Sequence, residues 1–206
     1  MRLAIFDFDG TLTKKDSFIE FLIFTHGGLT ATVKSFILLP VIIGYLFKTV
    51  PNWKLKEYFL KSFYKGWPLD RFNQAAQRYA AGHLAKLVRD AAYERLRWHK
   101  DSGHKVVVVS ASPVNYLHPW CEKESLELLA TELEIHDNRL TGKISGNNCH
   151  GEEKIRRIKE TYSLSGFDYI YSYGDSPGDL PLKGISNEFH YKPFRGSGPG
   201  QPPAKK

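Results

Sequence analysis

The sequence predicts an α/β fold: a parallel sheet with a helical block inserted after its first strand. Three observations carry this. Short runs at 2–6 ("RLAIF"), 105–110 ("KVVVVS") and 168–173 ("DYIYSY") have the length and the β-branched or aromatic content of buried strands, and each ends at polar residues. Between the later runs lie segments with helical periodicity. Residues 16–100 read as helical almost throughout, so they form an insertion rather than part of the sheet.

Within the insertion, residues 69–100 ("LDRFNQAAQRYAAGHLAKLVRDAAYERLRWHK") space Phe72, Ala76, Tyr79, His83, Leu87, Ala91 and Leu96 as one amphipathic face. Asp70 is a candidate cap for this helix and Gly103 its stop. Further on, 126–131 ("LELLAT") is another strand candidate. Residues 133–146 alternate apolar and polar around Asp137-Asn138, a hairpin signal. Residues 151–162 ("GEEKIRRIKETY") read as a helix. The Gly- and Pro-rich end, 195–206, reads as a disordered tail. The expected organisation is an α/β core over 1–14 and 101–194, a helical cap over 15–100, and the tail.

The formal net charge of +7 favours anionic partners such as phosphate esters or an anionic surface. No nucleic-acid-binding motif accompanies it, so nucleic acid is not an expected partner. Cys121 and Cys149 have neither metal-ligand spacing nor a disulfide pattern and read as buried thiols of a reducing compartment. The chain begins directly on a strand, with no leader pattern before it, and a cytoplasmic location is expected.

The first strand ends in "DFDGT", two carboxylates one residue apart. Burying such a pair costs several kcal/mol per charge unless a cation sits between them. In open α/β sheets the ligand lies beyond the carboxyl ends of the strands. That rule selects Asp7 and Asp9 after the first run, Ser110 to Ser112 after the second, and Asp175 to Asp179 after the last. Four convergent carboxylates call for a hard cation, and oxygen donors of this kind suit Mg²⁺.

"DFDGTL", "VVVVSAS", a lysine opening a helix, and "YGDSPGDLPL" resemble, in order and spacing, the four motifs of haloacid dehalogenase-superfamily phosphatases. The long insertion after the first motif is similar to the C1-type cap of the phosphoserine-phosphatase-like branch. The resemblance spans roughly 1–192 and implies a Rossmann-like core. It implies that Asp7 is the nucleophile, giving a phosphoaspartyl enzyme, and that Asp9 is the acid and then the base. Mg²⁺ would be held by the Asp7 and Asp175 side chains and the Asp9 carbonyl, with Asp179 binding it directly or through water. Ser110, Lys154 and the backbone N–H groups of Phe8 and Ala111 would hold the phosphoryl group, with Gly10 and Thr11 shaping the turn. Lys154 is preferred to His150 as the cationic ligand because it opens a helix. An acid at Asp9 points to phosphoryl transfer rather than dehalogenation. Hydrolysis is the common outcome with this cap, and a phosphomutase the alternative.

The resemblance implies a small phosphorylated substrate, phosphoserine-like, with Asp16 where the branch carries a glutamate that meets the substrate amino group. A second reading comes from 36–47 ("FILLPVIIGYLF"), an uncharged run between Lys34 and Lys48. At about 18 Å as a helix it is too short to span a ~30 Å hydrocarbon core. It is either a buried helix of the cap, the reading favoured by its length, or an interfacial element. Aromatics interleaved with lysines over 52–67 suit a membrane surface. The segment is also similar to that of bacterial phosphatases acting on phosphatidylglycerophosphate. The alternative is therefore a membrane-peripheral lipid phosphatase. A non-catalytic phosphate- or membrane-binding module is the minor alternative, opposed by the complete acidic set.

Overall fold

The computed structural model describes residues 1–195. The predicted disorder of the tail falls on 196–206, outside those residues; Arg195 is described. Six strands form one sheet in the order β4-β3-β2-β1-β5-β6. Strand β1 (Arg2–Phe6) is central, pairing in parallel with β2 (Lys105–Pro113) and β5 (Tyr169–Gly174). Its residues Leu3 to Phe6 are fully buried, which is why this strand reads as an unbroken apolar run. Alternate residues face opposite layers. Leu3, Ile5, Val107 and Val109 pack under helix α9 (Glu152–Thr161), while Ala4, Phe6, Val106 and Val108 face the larger cluster that joins the helical insertion.

β3 (Glu127–His136) is longer than expected. It absorbs both the 126–131 run and the first arm of the predicted hairpin, pairing in parallel with β2 and then antiparallel with β4 (Arg139–Ser145). Asp137 and Asn138 both adopt positive φ, as a two-residue turn requires. Strand β6 (Glu188–Tyr191) was not legible, because four residues of mixed polarity carry no periodic signal. β2 runs on to Pro113, with a register shift between Ser110 and Pro113, so Ser110 to Ser112 lie within the strand's irregular end rather than after it.

The insertion holds helices α1 (Ser17–His26), α2 (Gly28–Ile37), α3 (Leu39–Leu46), α4 (Asn52–Tyr64), α5 (Leu69–Tyr79), a short α6 (Ala85–Leu87) and α7 (Asp90–Asp101). The single helix predicted over 69–100 is corrected. α5 passes through a wide turn at 80–84, whose extra residue moves the buried face from His83 to Leu84. The helix then breaks at Val88-Arg89, where the chain leaving the insertion pairs with the chain entering it. Lys14 N donates to the Leu87 carbonyl (2.8 Å), Arg89 N to that of Leu12 (2.8 Å), and Arg89 Nε to that of Thr13 (3.0 Å). These bonds satisfy the backbone better than continued helix would. Pro68 precedes α5, and Asp70 lies in its first turn without a capping bond. Helix α7 stops before Gly103 as expected, the glycine holding φ +70°, and α8 (Val114–Lys123) follows β2.

The favoured reading of 36–47 as a buried helix is also corrected. No residue of α3 is fully buried, and α2 buries only Ala31. Pro40, which lacks an N–H donor, stands in the first turn of α3, and the two helices meet at 66°. Among the described residues no single helix is long and apolar enough to cross a membrane.

A fully buried His99 ties α7 to the sheet, with Nε2 2.8 Å from the Tyr173 hydroxyl and Nδ1 2.8 Å from Nδ1 of His104. Burial, reinforced by His104, pushes its pKa down from 6.5 to about 3. The folded protein thus keeps His99 neutral where the unfolded chain would protonate it. Its contribution to stability is complete above about pH 6.5 and falls as pH drops towards 3. Melting temperature should decline across that window, and His99→Gln should flatten the decline. An unchanged pH slope in the variant would remove His99 as its source.

Candidate active site

The site gathers at the carboxyl ends of β1, β2 and β5. Asp7 continues the β1 pairing, its N–H donating to the Tyr173 carbonyl (2.9 Å), and a wide turn over Phe8–Leu12 follows. Gly10 holds φ +80°, and a Cβ there would stand 2.4 Å from Asp175 Oδ2, so only glycine lets the first turn approach the last motif. Thr13 Oγ1 ties the turn, accepting from Gly10 N (3.2 Å) and lying 3.2 Å from the Phe8 carbonyl. Thr11 is buried, and its hydroxyl is left without a partner among the described residues.

Lys154 is buried in the third position of α9, and its Nζ donates to Asp7 Oδ1 and Asp179 Oδ1, both at 2.6 Å. Asp179 Oδ2 accepts from the amides of Asp175 and Ser176 and from the Ser176 hydroxyl. Those bonds and Lys154 offset its burial and hold its carboxyl below the usual range. Asp7 has fewer partners, and burial pushes it up to about 7 despite Lys154. Oxygen atoms of Asp7, Asp175 and Asp179 lie within 4.8 Å of one another. Lys154 pairs with two of the three, and this set of hard oxygen donors within reach of one point fits a divalent cation such as Mg²⁺. The Asp175 carboxylate also meets the Arg195 guanidinium.

Asp9 faces elsewhere. Its carboxylate accepts from Ser17 N and Ser112 Oγ, each at 2.6 Å, so only its main-chain carbonyl is left for the expected part in holding a cation. Burial, then the nearby Asp16 charge, pushes Asp9 up to about 6. Ser110 is buried, its Oγ accepting from Ser112 N (3.0 Å). The Phe8 ring packs on Trp120, leaving only its backbone for a ligand. Asp16 caps α1, with Oδ1 accepting from Phe18 N (2.9 Å) and Ile19 N (3.0 Å). It also lines an open cavity of about 600 Å³ with Asp9, Gly10, Arg89 and Asp175. His150 sits where a Cβ on Gly178 would fall 2.2 Å from its Cε1; burial, then Lys154, lowers its pKa and disfavours the charge that Lys154 carries.

Two residues escaped the sequence reading. Ser17 joins Ser112, which the strand-end rule had selected, in holding the Asp9 carboxylate, and Ser17 carried no signal. Lys56 reaches from α4 to the Ala111 carbonyl and to Asn148 Oδ1 (3.4 Å), and burial lowers its pKa to about 8. In sequence it is one of several evenly scattered lysines.

A model of haloacid dehalogenase-like hydrolases matches residues 4–182. The chain belongs to the haloacid dehalogenase-like hydrolase family. Protein CicA of Caulobacter vibrioides is 34% identical over 196 residues, covering 94% of this chain and 87% of CicA. A solved structure of a Bordetella pertussis protein of unknown function superposes with a TM-score of 0.76 at 23% identity, over 91% of this chain and 88% of that one. A probable phosphoserine phosphatase from Vibrio cholerae superposes at 0.68 with 15% identity, over 92% of this chain and 55% of that one. At those identities the superpositions establish the fold, which this haloacid dehalogenase-like hydrolase shares with the phosphoserine-phosphatase-like branch.

Proposed function

We propose that the protein is a Mg²⁺-dependent phosphomonoester hydrolase working through a phosphoaspartyl intermediate. The observation that carries the reading is the split of two neighbouring carboxylates. Asp7 joins Lys154 and the acidic cluster, whereas Asp9 is held apart by Ser17 and Ser112. That separation supports Asp7 as the attacking group and Asp9 as the group that exchanges a proton.

Asp7 Oδ attacks phosphorus, and the ester P–O bond breaks as protonated Asp9 gives its proton to the leaving oxygen. Asp9, now a carboxylate, takes a proton from water. The hydroxide attacks phosphorus, the bond to Asp7 breaks, and phosphate leaves. A raised Asp9 pKa of about 6 suits a group that must donate and then accept near neutrality. Lys154 stabilises charge on Asp7 and on the transferring oxygens, and Ser110 with the Phe8 and Ala111 amides would hold the rest. Bound at Asp7, Asp175, Asp179 and the Asp9 carbonyl, Mg²⁺ would screen the repulsion between Asp7 and phosphate. Asp16 at the open cavity and Lys56 above Ala111 supply one anionic and one cationic contact for the remainder of the substrate.

A Mg²⁺-dependent phosphate-release screen across phosphoserine, sugar phosphates, nucleotides and phosphatidylglycerophosphate tests this reading and separates small metabolites from lipids. Asp175→Ala should raise the Mg²⁺ concentration needed for half activity by roughly tenfold or more. Ca²⁺ should inhibit, since it takes more ligands at longer distance. Full activity in excess chelator would overturn the metal assignment.

A further inference from the structure

The longest stretch free of carboxylates in the insertion runs between Glu20 and Glu57, and it contains Lys34, Lys48, Lys54 and Lys56. In the fold this stretch forms α2, α3 and the start of α4, and it exposes large apolar side chains. Leu29 is 82% exposed, Phe36 73%, Ile37 71%, Leu46 70% and Phe47 77%. Leu29, Val33 and Phe36 recur at one-turn spacing along α2, so they form a stripe rather than scattered residues. Isolated exposed apolar residues need no explanation, but a continuous run of them on two adjoining helices does. Exposed Lys48 and Lys54 border the patch, and Trp53 lies half exposed beside them.

A groove of about 690 Å³ runs from this patch towards the site. Tyr45, Lys48 and Trp53 line its outer end; Asn148 and His150 line its inner end. Asn148 is bonded by Lys56, which also holds the Ala111 carbonyl, and His150 lies against Gly178 beside Asp179. The groove thus leads from the edge of the apolar patch to residues that flank the carboxylate cluster, with the carboxylates of Glu57 and Glu153 on its walls.

We propose that α2, α3 and the start of α4 dock on a lipid surface carrying anionic headgroups, and that the phosphomonoester cleaved is borne by a lipid of that surface. Charge complementarity selects the occupant. A patch with lysines at its border and no carboxylate within it suits an anionic bilayer, whose surface attracts each Lys. No single helix is long enough to span, and the 66° bend between α2 and α3 suits a pair that lies in the interface with its apolar side chains inserted. The substrate half of the proposal rests on the phosphomonoesterase reading above; the docking half does not.

The test uses the full chain. Wild type should float with vesicles of equal parts phosphatidylcholine and phosphatidylglycerol, less with phosphatidylcholine alone, and less as salt is raised. The double variant Phe36→Asp, Phe47→Asp should lose vesicle binding by roughly a hundredfold, about tenfold for each inserted ring. Its melting temperature and its turnover of 4-nitrophenyl phosphate should stay at the wild-type level, while cleavage of phosphatidic acid in vesicles falls with binding. Leu29→Glu provides an independent variant should the double variant melt early. Wild type that does not float overturns docking. A wild-type dimer in sedimentation that the double variant abolishes, without flotation, assigns the face to a second copy and also overturns it. Flotation combined with no turnover of either phosphate overturns the substrate half together with the phosphomonoesterase reading it rests on, and leaves docking standing. Turnover of 4-nitrophenyl phosphate with none of phosphatidic acid overturns the substrate half alone and leaves the phosphomonoesterase reading intact.

Discussion

Asp7→Asn is expected to give a folded protein that releases no phosphate from any substrate. The amide is nearly isosteric with the carboxylate but has no charged oxygen with which to attack phosphorus. Loss of a nucleophile of this kind lowers turnover by roughly 10⁴-fold or more. Stability should not suffer. Asp7 is a buried carboxylate whose burial already raises its pKa to about 7, so a neutral group at that position removes an unfavourable charge. Lys154 keeps its bond to Asp179. Two measurements check this: phosphate release beside a thermal melt, and rapid quench with labelled substrate. Wild type should carry label on its N-terminal peptide, and the variant none. Normal phosphate release by the folded variant would sink the covalent mechanism and return Asp7 to a role in holding the cation.

The parts of the fold that were legible in sequence are those where one physical demand acts alone. β1 is buried on both faces, so its apolar run had no other reading. The Asp137-Asn138 turn demands two positive φ values, and few residues supply them. The motif aspartates were legible because a strand ending in paired carboxylates has little structural use. The failures arise where tertiary contacts override local pattern. The periodicity of 69–100 continues across Val88, but the chain entering the insertion at Thr13 competes for the same backbone bonds and breaks the helix there. The run at 36–47 is apolar enough for a core, yet whether a partner helix covers it is not written in the run itself. Lys154 was separable from its neighbours by its place at a helix start. Lys56 was not, because only the packing of α4 against β4 brings its ammonium to Ala111 at the end of β2.

Asp9→Asn is expected to divide substrates by leaving group. If Asp9 gives its proton to the departing oxygen, an alkyl phosphate, whose alkoxide leaves poorly, should lose about 10²–10⁴-fold in the first step. An aryl phosphate carries its own stabilised leaving group and needs less assistance, so its first step should suffer far less. The second step is different. Water must be deprotonated whichever alcohol has left, so the variant should accumulate phosphoenzyme from the aryl substrate and show a burst followed by slow turnover. The geometry supports this separation of roles, because the Asp9 carboxylate is bonded to Ser17 and Ser112 and stands outside the Asp7, Asp175 and Asp179 cluster. Asn can keep the Ser17 contact through its carbonyl, so the variant should fold. Ser112→Ala should act in the same direction but more weakly: it removes one bond that favours the charged form, raising the Asp9 pKa and moving the acid-side limb of the second step to higher pH. Equal losses for alkyl and aryl phosphates in single-turnover phosphorylation would show that the Asp9 side chain is not the acid of the first step, and proton transfer would have to be assigned to another group.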